Sequence, residues 1–270
     1  MMTESATRLP IPAGLHSDDQ AELADAVAVL EGTSLPVRLA GLVGGSVEAL
    51  KRRLPEAAQR MIEATVRRAL ESAMKAAMRS DPSRNPTPFS GSWLHRGLLT
   101  ASGAAGGAFG LPGTLVELPI STTLLLRRIA AIAAEEGEDL ADPLVQAECL
   151  KVFALGGRDP GDDEAESGYF LLRIALTETL KGAVGRGLGA MLPGFVGAIA
   201  ARFGGPVALK LSAQAAPVVG AAGGAAVNIA FLEHFSGIAR AHFTIRRLER
   251  AHGPALVRAG YEAIRTGGRA

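Results

Sequence analysis

Polar side chains inside apolar stretches are the residues of this chain that could support chemistry. Glu117 lies between two uncharged runs, and Asn228 lies in an alanine- and glycine-rich run. Glu233 and His242 follow that second run. An acid and an imidazole that reach one substrate exchange protons with it. The four residues therefore suggest an enzyme that acts on a lipid or another hydrophobic ligand in a helical pocket.

Within this hypothesis, the catalytic candidates are Glu117, Glu233 and His242, and the ligand-binding candidates are Glu117 and Asn228. A structural alternative applies to each buried polar group. A carboxylate removed from water must be paired, protonated or hydrogen-bonded, so Glu117 is also a candidate partner for an arginine or a helix N-terminus. The amide of Asn228 is equally suited to hydrogen-bonding adjacent helices together.

No metal or cofactor site is predicted. His234 and His242 are eight residues apart on one predicted helix, which separates them by about 12 Å along the axis, too far to share a metal ion. The acidic loop Asp159 to Glu166 lacks the alternating aspartates of a calcium loop. The glycine clusters lack the Lys-Ser/Thr ending of a phosphate-binding loop.

Basic residues concentrate in the stretch 51–79. It holds eight basic and three acidic residues, a net charge of +5, and its apolar residues recur at three- and four-residue spacing. This pattern predicts an amphipathic helix after Pro55 with a basic face, which attracts anionic lipid. The predicted membrane-contacting residues are Lys51, Arg52, Arg53, Arg60, Arg67, Arg68 and Lys75.

The elements that must position these residues are helices. Apolar residues at helical spacing predict helices over 17–30, 129–136, 143–155, 167–180 and 233–251, and alternating strand patterns do not occur. Ser17 with its two following aspartates is the predicted cap of the first helix. The sequence therefore predicts an all-α fold, a compact multi-helix domain.

The composition excludes several classes of protein. An apolar content of 48% excludes general disorder, and a formal net charge of +1 argues against a nucleic-acid partner. The lone Cys149 excludes a disulfide framework and indicates a cytoplasmic location. Oligomeric state is not encoded in any pattern of the sequence.

Two alanine- and glycine-rich segments resemble each other. The letters of Gly103 to Ala108 recur as Gly220 to Ala225, which suggests a two-fold repeat of close-packed helical hairpins. The weakly charged segments Gly97 to Leu126 and Leu211 to Leu232 are also long enough to cross a bilayer. A buried core of tightly packed helices and segments that enter or lie in a membrane are the two alternatives.

Several segments together resemble the EcsC family of bacterial proteins, whose namesake is encoded beside an ABC transporter. The segments that carry the resemblance are Gly110-Leu-Pro-Gly113 with Glu117-Leu-Pro119, Ile129 to Gly137, Gly168-Tyr-Phe170 to Arg173, Pro217 to Gly224 with Asn228, and Ala239 to Glu249. Glu117 stands where the family pattern leads us to expect Asp. The resemblance covers roughly residues 45 to 255 and implies an α-helical protein associated with membranes or with transport and secretion machinery, without an established reaction.

These observations lead to one main hypothesis and two alternatives. We expect residues 17–260 to form a single helical domain with a linker at 80–91, between a flexible lead-in over 1–16 and a tail over 261–270. The main hypothesis is a non-enzymatic protein bound peripherally to an anionic membrane surface. The alternatives are the enzyme described above and a soluble partner of an ABC transporter or another membrane complex.

Overall fold

The predicted helices form throughout the part of the chain that the structure describes. The computed structural model describes residues 14–32, 35, 38–39, 64–72, 110–157, 168–181, 188–214 and 220–267, without the side chains of 110–118, 180–181, 188–194, 209 and 211–224. The helices are α1 (Ser17–Leu30), α2 (Gly110–Glu135), α3 (Pro143–Leu155), α4 (Tyr169–Lys181), α5 (Leu188–Gln214), α6 (Gly220–His252) and α7 (Pro254–Gly267). Residues 64–72 are also helical, and the described ranges contain no β-strand. The all-α prediction is confirmed.

Helices α1 and α3 have the predicted bounds because their starts are marked in the sequence. The Asp142 carboxylate accepts a hydrogen bond from Leu144 N at 2.8 Å, and Pro143 occupies the first turn of α3. Asp18 and Asp19 lie in the first turn of α1, where carboxylates are favoured. The predicted cap of α1 was wrong by one residue, since His16 takes the N-cap position and makes no side-chain cap bond.

Helices α2 and α6 are much longer than predicted. The predictions over 129–136 and 233–251 cover only the charged C-terminal parts of these helices. The N-terminal part of α6 is rich in alanine and glycine, and residues 110–126 of α2 form a mostly apolar run whose one charged residue is Glu117, so neither part alternates polar and apolar faces. Pro119 lies inside α2, and Thr123 Oγ1 donates to the Pro119 carbonyl at 2.8 Å.

Helix α6 is the centre of the fold. It packs against α1, α2, α3, α5 and α7, while α4 packs against α3 and α5. α1 runs antiparallel to α6, since His252 Nε2 contacts Asp19 Oδ2 at 2.9 Å and Arg247 contacts Glu22. Four buried rings from α3, α5 and α6 pack together in the core: Phe153, Phe203, Phe231 and Phe235.

The C-terminal helix extends the domain beyond the predicted boundary at residue 260. Gly253, at φ 87°, turns the chain between α6 and α7 in a conformation that glycine adopts without strain. Tyr261 of α7 is buried, and its hydroxyl donates to Glu31 Oε1 at 2.7 Å. Residues 261–267 are therefore part of the packed structure, in contrast to the predicted tail.

The question of membrane spans is answered only for the described helices. None of them combines the length and the apolar character needed to cross a bilayer. Leu124, Leu125, Val227 and Phe231 from the two weakly charged segments are buried by protein, as the close-packed alternative expects. Residues 97–109 and 215–219 of these segments, the first copy of the internal echo, the linker 80–91 and the lead-in over 1–13 lie outside the described residues.

A methyl group at Gly156 should destabilise the core. Its Cβ would lie 2.5 Å from the Phe235 ring, whereas the backbone φ of −77° suits alanine, so any cost must come from the ring. We expect Gly156→Ala to lower the free energy of unfolding by ~1–3 kcal/mol. Gly237→Ala is the matched control, because its Cβ meets Val29 at an ordinary 3.6 Å and alanine favours the helix by ~1 kcal/mol. Urea unfolding measures both, and equal effects would refute the argument.

Candidate functional site

Three of the predicted site residues lie along one helix and do not meet. Asn228, Glu233 and His242 all belong to α6, and 14 residues separate the first from the last, about 21 Å along the axis. Asn228 and His242 are buried, whereas Glu233 is exposed. Glu117 lies in α2, and its side chain is outside the described residues. These three residues therefore do not form the predicted pocket, and the role of Glu117 stays a prediction.

His242 instead belongs to a chain of hydrogen bonds that links α3, α4 and α6. Its Nε2 is 3.1 Å from Glu148 Oε2, and its Nδ1 is 2.8 Å from the Tyr169 hydroxyl. An ionised carboxylate only accepts hydrogen bonds, so Nε2 carries the proton and Nδ1 accepts from Tyr169. Arg173 Nη1 in turn donates to the Tyr169 oxygen at 3.3 Å.

Glu148 is the central acceptor of this cluster. Lys151 Nζ lies 2.8 Å from Glu148 Oε1, and Arg246 Nη1 lies 3.5 Å from the same oxygen. The buried Lys151 ammonium also donates to Thr177 Oγ1 of α4 at 2.7 Å. One carboxylate of α3 is thus surrounded by two cations and an imidazole.

Two bidentate pairs extend the cluster along α6. Arg173 donates to both oxygens of Glu249 at 2.9 and 2.6 Å, and Arg246 donates to both oxygens of Glu138 at 2.7 and 3.1 Å. Arg250 also pairs with Glu138. We call the whole set the buried ionic network: Glu138, Glu148, Lys151, Tyr169, Arg173, His242, Arg246 and Glu249.

The pKa shifts in the network follow from burial and from these charges. Burial raises the pKa of Glu148, but the hydrogen bond from His242 and the charges of Lys151 and Arg246 outweigh it, and the pKa falls well below its usual range. Burial lowers the pKa of His242, and the charges of Arg173 and Arg246 act in the same direction against the pull of Glu148. The imidazole is therefore neutral and the carboxylate ionised at neutral pH.

The arrangement has the order of a hydroxyl, a base and an orienting carboxylate, and both the hydroxyl and the base are buried. Tyr169 and His242 are 1% and 0% exposed. Burial also raises the pKa of the Tyr169 hydroxyl, so it stays protonated. Among the described residues, no group of His, Cys, Asp and Glu is arranged to hold a metal ion. The network joins α3, α4 and α6.

A second feature lies on the surface. In the helical segment 64–72, Val66, Ala69 and Leu70 are buried, whereas Arg67 and Arg68 are exposed. The predicted amphipathic pattern is confirmed for this segment. We call the exposed pair the basic face. The other predicted membrane-contacting residues, Lys51, Arg52, Arg53, Arg60 and Lys75, lie outside the described residues.

Sequence reasoning identified His242 but missed its partners. Glu148 and Lys151 form an i,i+3 pair inside the apolar helix α3, and this pair of charges in an apolar run was the available signal. Tyr169 and Arg173 were placed on the predicted helix 167–180 and in a family motif, without a predicted contact to α6. Their partners on α6 are 73 and 76 residues away along the chain, so no local pattern pointed to them.

Removing the central carboxylate should be costly. In Glu148→Gln the Lys151 and Arg246 cations lose their shared anion in the core, and we expect the free energy of unfolding to fall by ~3–5 kcal/mol. Glu262→Gln breaks the surface pair with Arg265 and should cost under ~1 kcal/mol. Chemical unfolding of both variants measures the difference. A loss of the same small size in both would contradict a buried network.

Acidification should destabilise the fold in two stages. The pKa of His242 is lowered from 6.5 and that of Glu148 from 4.5, so the unfolded chain takes up protons at higher pH than the folded protein. The contribution of His242 to the free energy of unfolding is therefore complete above pH 6.5 and decreases as the pH drops further. The contribution of Glu148 decreases once the pH drops below 4.5. Urea unfolding measured from pH 7.5 down to about 3 gives the profile. Glu148→Gln should flatten the lower stage, and an unchanged slope there would refute the assignment.

The comparison with known proteins agrees with the motifs of the sequence. A model of the EcsC protein family matches residues 93–248, more than half of the 270-residue chain. No curated protein and no solved structure matches the chain. The matched range includes Glu148, Tyr169 and His242 and does not include the basic face. The chain therefore belongs to the EcsC protein family.

Proposed function

We propose that this EcsC protein associates peripherally with anionic membrane surfaces through its basic face. The observation that carries the proposal is the exposure of the Arg67 and Arg68 side chains. Both side chains are exposed, and within the described part of the chain neither makes an ion pair. An exposed cation without an acidic partner is available to a phosphate group.

Four arginines of α4 and α6 differ in this respect. Arg173, Arg246, Arg247 and Arg250 all pair with glutamates of the same chain. Their charges are neutralised within the fold and contribute little attraction at a distance. The near-zero net charge of the sequence therefore hides an uneven distribution, and the two exposed arginines of segment 64–72 supply a local positive potential.

The burial of segment 64–72 also supports a particular mode of binding. An amphipathic helix that inserts into a bilayer places its apolar residues among the acyl chains. Here Val66, Ala69 and Leu70 contribute to the protein core instead. The proposed association is therefore electrostatic, with the arginines at the level of the lipid headgroups and this apolar face kept inside the protein.

Charge reversal at the basic face tests the proposal. Each arginine near an anionic surface contributes ~1 kcal/mol, so losing two contacts should weaken binding about 30-fold. We expect R67E/R68E to lose co-sedimentation with vesicles of phosphatidylglycerol and phosphatidylcholine, and added salt should weaken the unmodified protein in the same way. R127E/R258E makes the same charge change at two exposed arginines of α2 and α7 and should bind nearly as the parent does.

The outcomes separate lipid from protein partners. Absence of pelleting above a phosphatidylcholine control would refute membrane-surface binding. If the protein does not bind protein-free vesicles but remains bound to native membranes, its partner is a membrane protein, as the transporter hypothesis expects. No reaction is proposed, because the candidate residues on α6 lie apart and His242 with its partner Tyr169 is buried.

A further inference from the structure

Helix α4 is connected to the central helix α6 through side-chain hydrogen bonds. In the packing of the helices, α4 lies against α3 and α5, whereas α6 lies against five other helices. Tyr169 and Arg173 of α4 bond to His242 and Glu249 of α6. Movement of α4 away from α6 therefore requires the loss of these links, together with the packing of α4 on its two neighbours.

The link between Tyr169 and His242 has one direction while the imidazole is neutral. Nε2 donates to Glu148, so Nδ1 carries no proton and accepts from the Tyr169 hydroxyl. The Tyr169 oxygen also accepts from Arg173. Within the described part of the chain, His242 and Arg173 are the hydrogen-bond partners of this hydroxyl. The hydroxyl proton of Tyr169 therefore depends on an unprotonated Nδ1 for its acceptor.

A second proton on His242 reverses this link. Nδ1 then becomes a donor that points at the Tyr169 oxygen, which already accepts from Arg173. The hydroxyl proton of Tyr169 loses its acceptor in a position that is 1% exposed. A buried donor without an acceptor is unfavourable, and contact with water removes the penalty. Protonation of His242 and the closed position of α4 are therefore in conflict.

The charges around His242 balance only while its ring is neutral. The charged groups of the buried ionic network are three carboxylates and three cations: Glu148 and Lys151 of α3, Arg173 of α4, Arg246 and Glu249 of α6, and Glu138 between α2 and α3. A protonated ring adds one positive charge to this balanced set. Burial lowers the pKa of His242 most strongly, Arg173 and Arg246 lower it too, and Glu148 raises it.

We infer that α4 is a pH-sensitive element of the fold: uptake of one proton by His242 breaks the bond to Tyr169 and releases α4 from α6. In the open form, the Tyr169 hydroxyl and Nδ1 of the imidazolium both find water as a partner. The bond from Nε2 to Glu148 persists, because a charged imidazole still donates to a carboxylate. Acid thus exposes a hydroxyl and an imidazole that α4 covers at neutral pH. The inference does not depend on membrane association.

Proton linkage gives the size of the effect. Once water reaches Nδ1, the pKa of His242 returns toward its ordinary value of 6.5, so the open form binds one proton more than the closed form. One extra proton makes the opening equilibrium about tenfold more favourable for each unit of pH below that value.

Hydrogen–deuterium exchange of the full chain without vesicles tests the inference. Protection factors, which remove the intrinsic pH dependence of exchange, are compared for the amides of α4 and of α2. We expect α4 amides to be less protected than α2 amides and to open in a way that low urea hardly changes, as a local opening does. Their protection should fall about tenfold from about pH 6.5 to about 5.5. Equal protection and an equal urea response in both helices would mean that they open only together, and the inference would be wrong.

Two variants assign the proton to His242. In His242→Gln an amide supplies one donor and one acceptor but does not titrate, so the tenfold fall at α4 should disappear, and its persistence would overturn the inference. Tyr169→Phe keeps the ring and removes the link. If the glutamine variant does not fold, this second variant decides: α4 should already exchange rapidly at about pH 7.5 and respond little to acid. An α4 that stays as protected as in the parent at about pH 7.5 would show that the link does not hold this helix.

Discussion

The structure depends on keeping one carboxylate ionised inside a helical core. Glu148 of α3 is tolerated there because Lys151, His242 and Arg246 replace the water it loses, and Coulomb attraction strengthens where water is excluded. The same contacts fix the position of α6 along α3 and the position of α4 against both. An apolar core of similar size would permit several helix registers, whereas matched donors and acceptors favour one. The network therefore fixes helix positions as well as adding stability.

The sequence predicted what local patterns encode and missed what only packing decides. Residues 17–30 and 143–155 were correctly bounded because prolines, glycines and acidic first turns mark their ends. The alanine- and glycine-rich half of α6 has no polar face, so its helix could not be recognised from periodicity. The partner of His242 lies 94 residues away at Glu148, and their meeting depends on the relative position of two helices. The exposure of Arg67 and Arg68 was predictable, because the amphipathic pattern of segment 64–72 is encoded by neighbouring residues in the sequence.

The family match and the proposed membrane-binding residues fall in different parts of the sequence. Residues 93–248 carry nearly all of the buried ionic network, and only Glu249 of it lies just outside. Arg67 and Arg68 of the basic face precede the match. The interior that positions the helices thus belongs to the family region, and the proposed lipid contacts come from a segment that precedes it. A surface supplied in this way can vary in charge without disturbing the core, since exposed cations contribute little to stability.

The antiparallel pairing of α1 with α6 has a consequence for how the chain is made. The contact between Asp19 and His252 spans 233 residues, and Tyr261 of α7 reaches back to Glu31. A ribosome releases α1 long before either partner exists, and contacts of such high sequence separation form late. Leu23 and Val27, fully covered in the finished protein, must remain uncovered through most of translation. The first described helix therefore reaches its native packing only after the C-terminal helices have been synthesised.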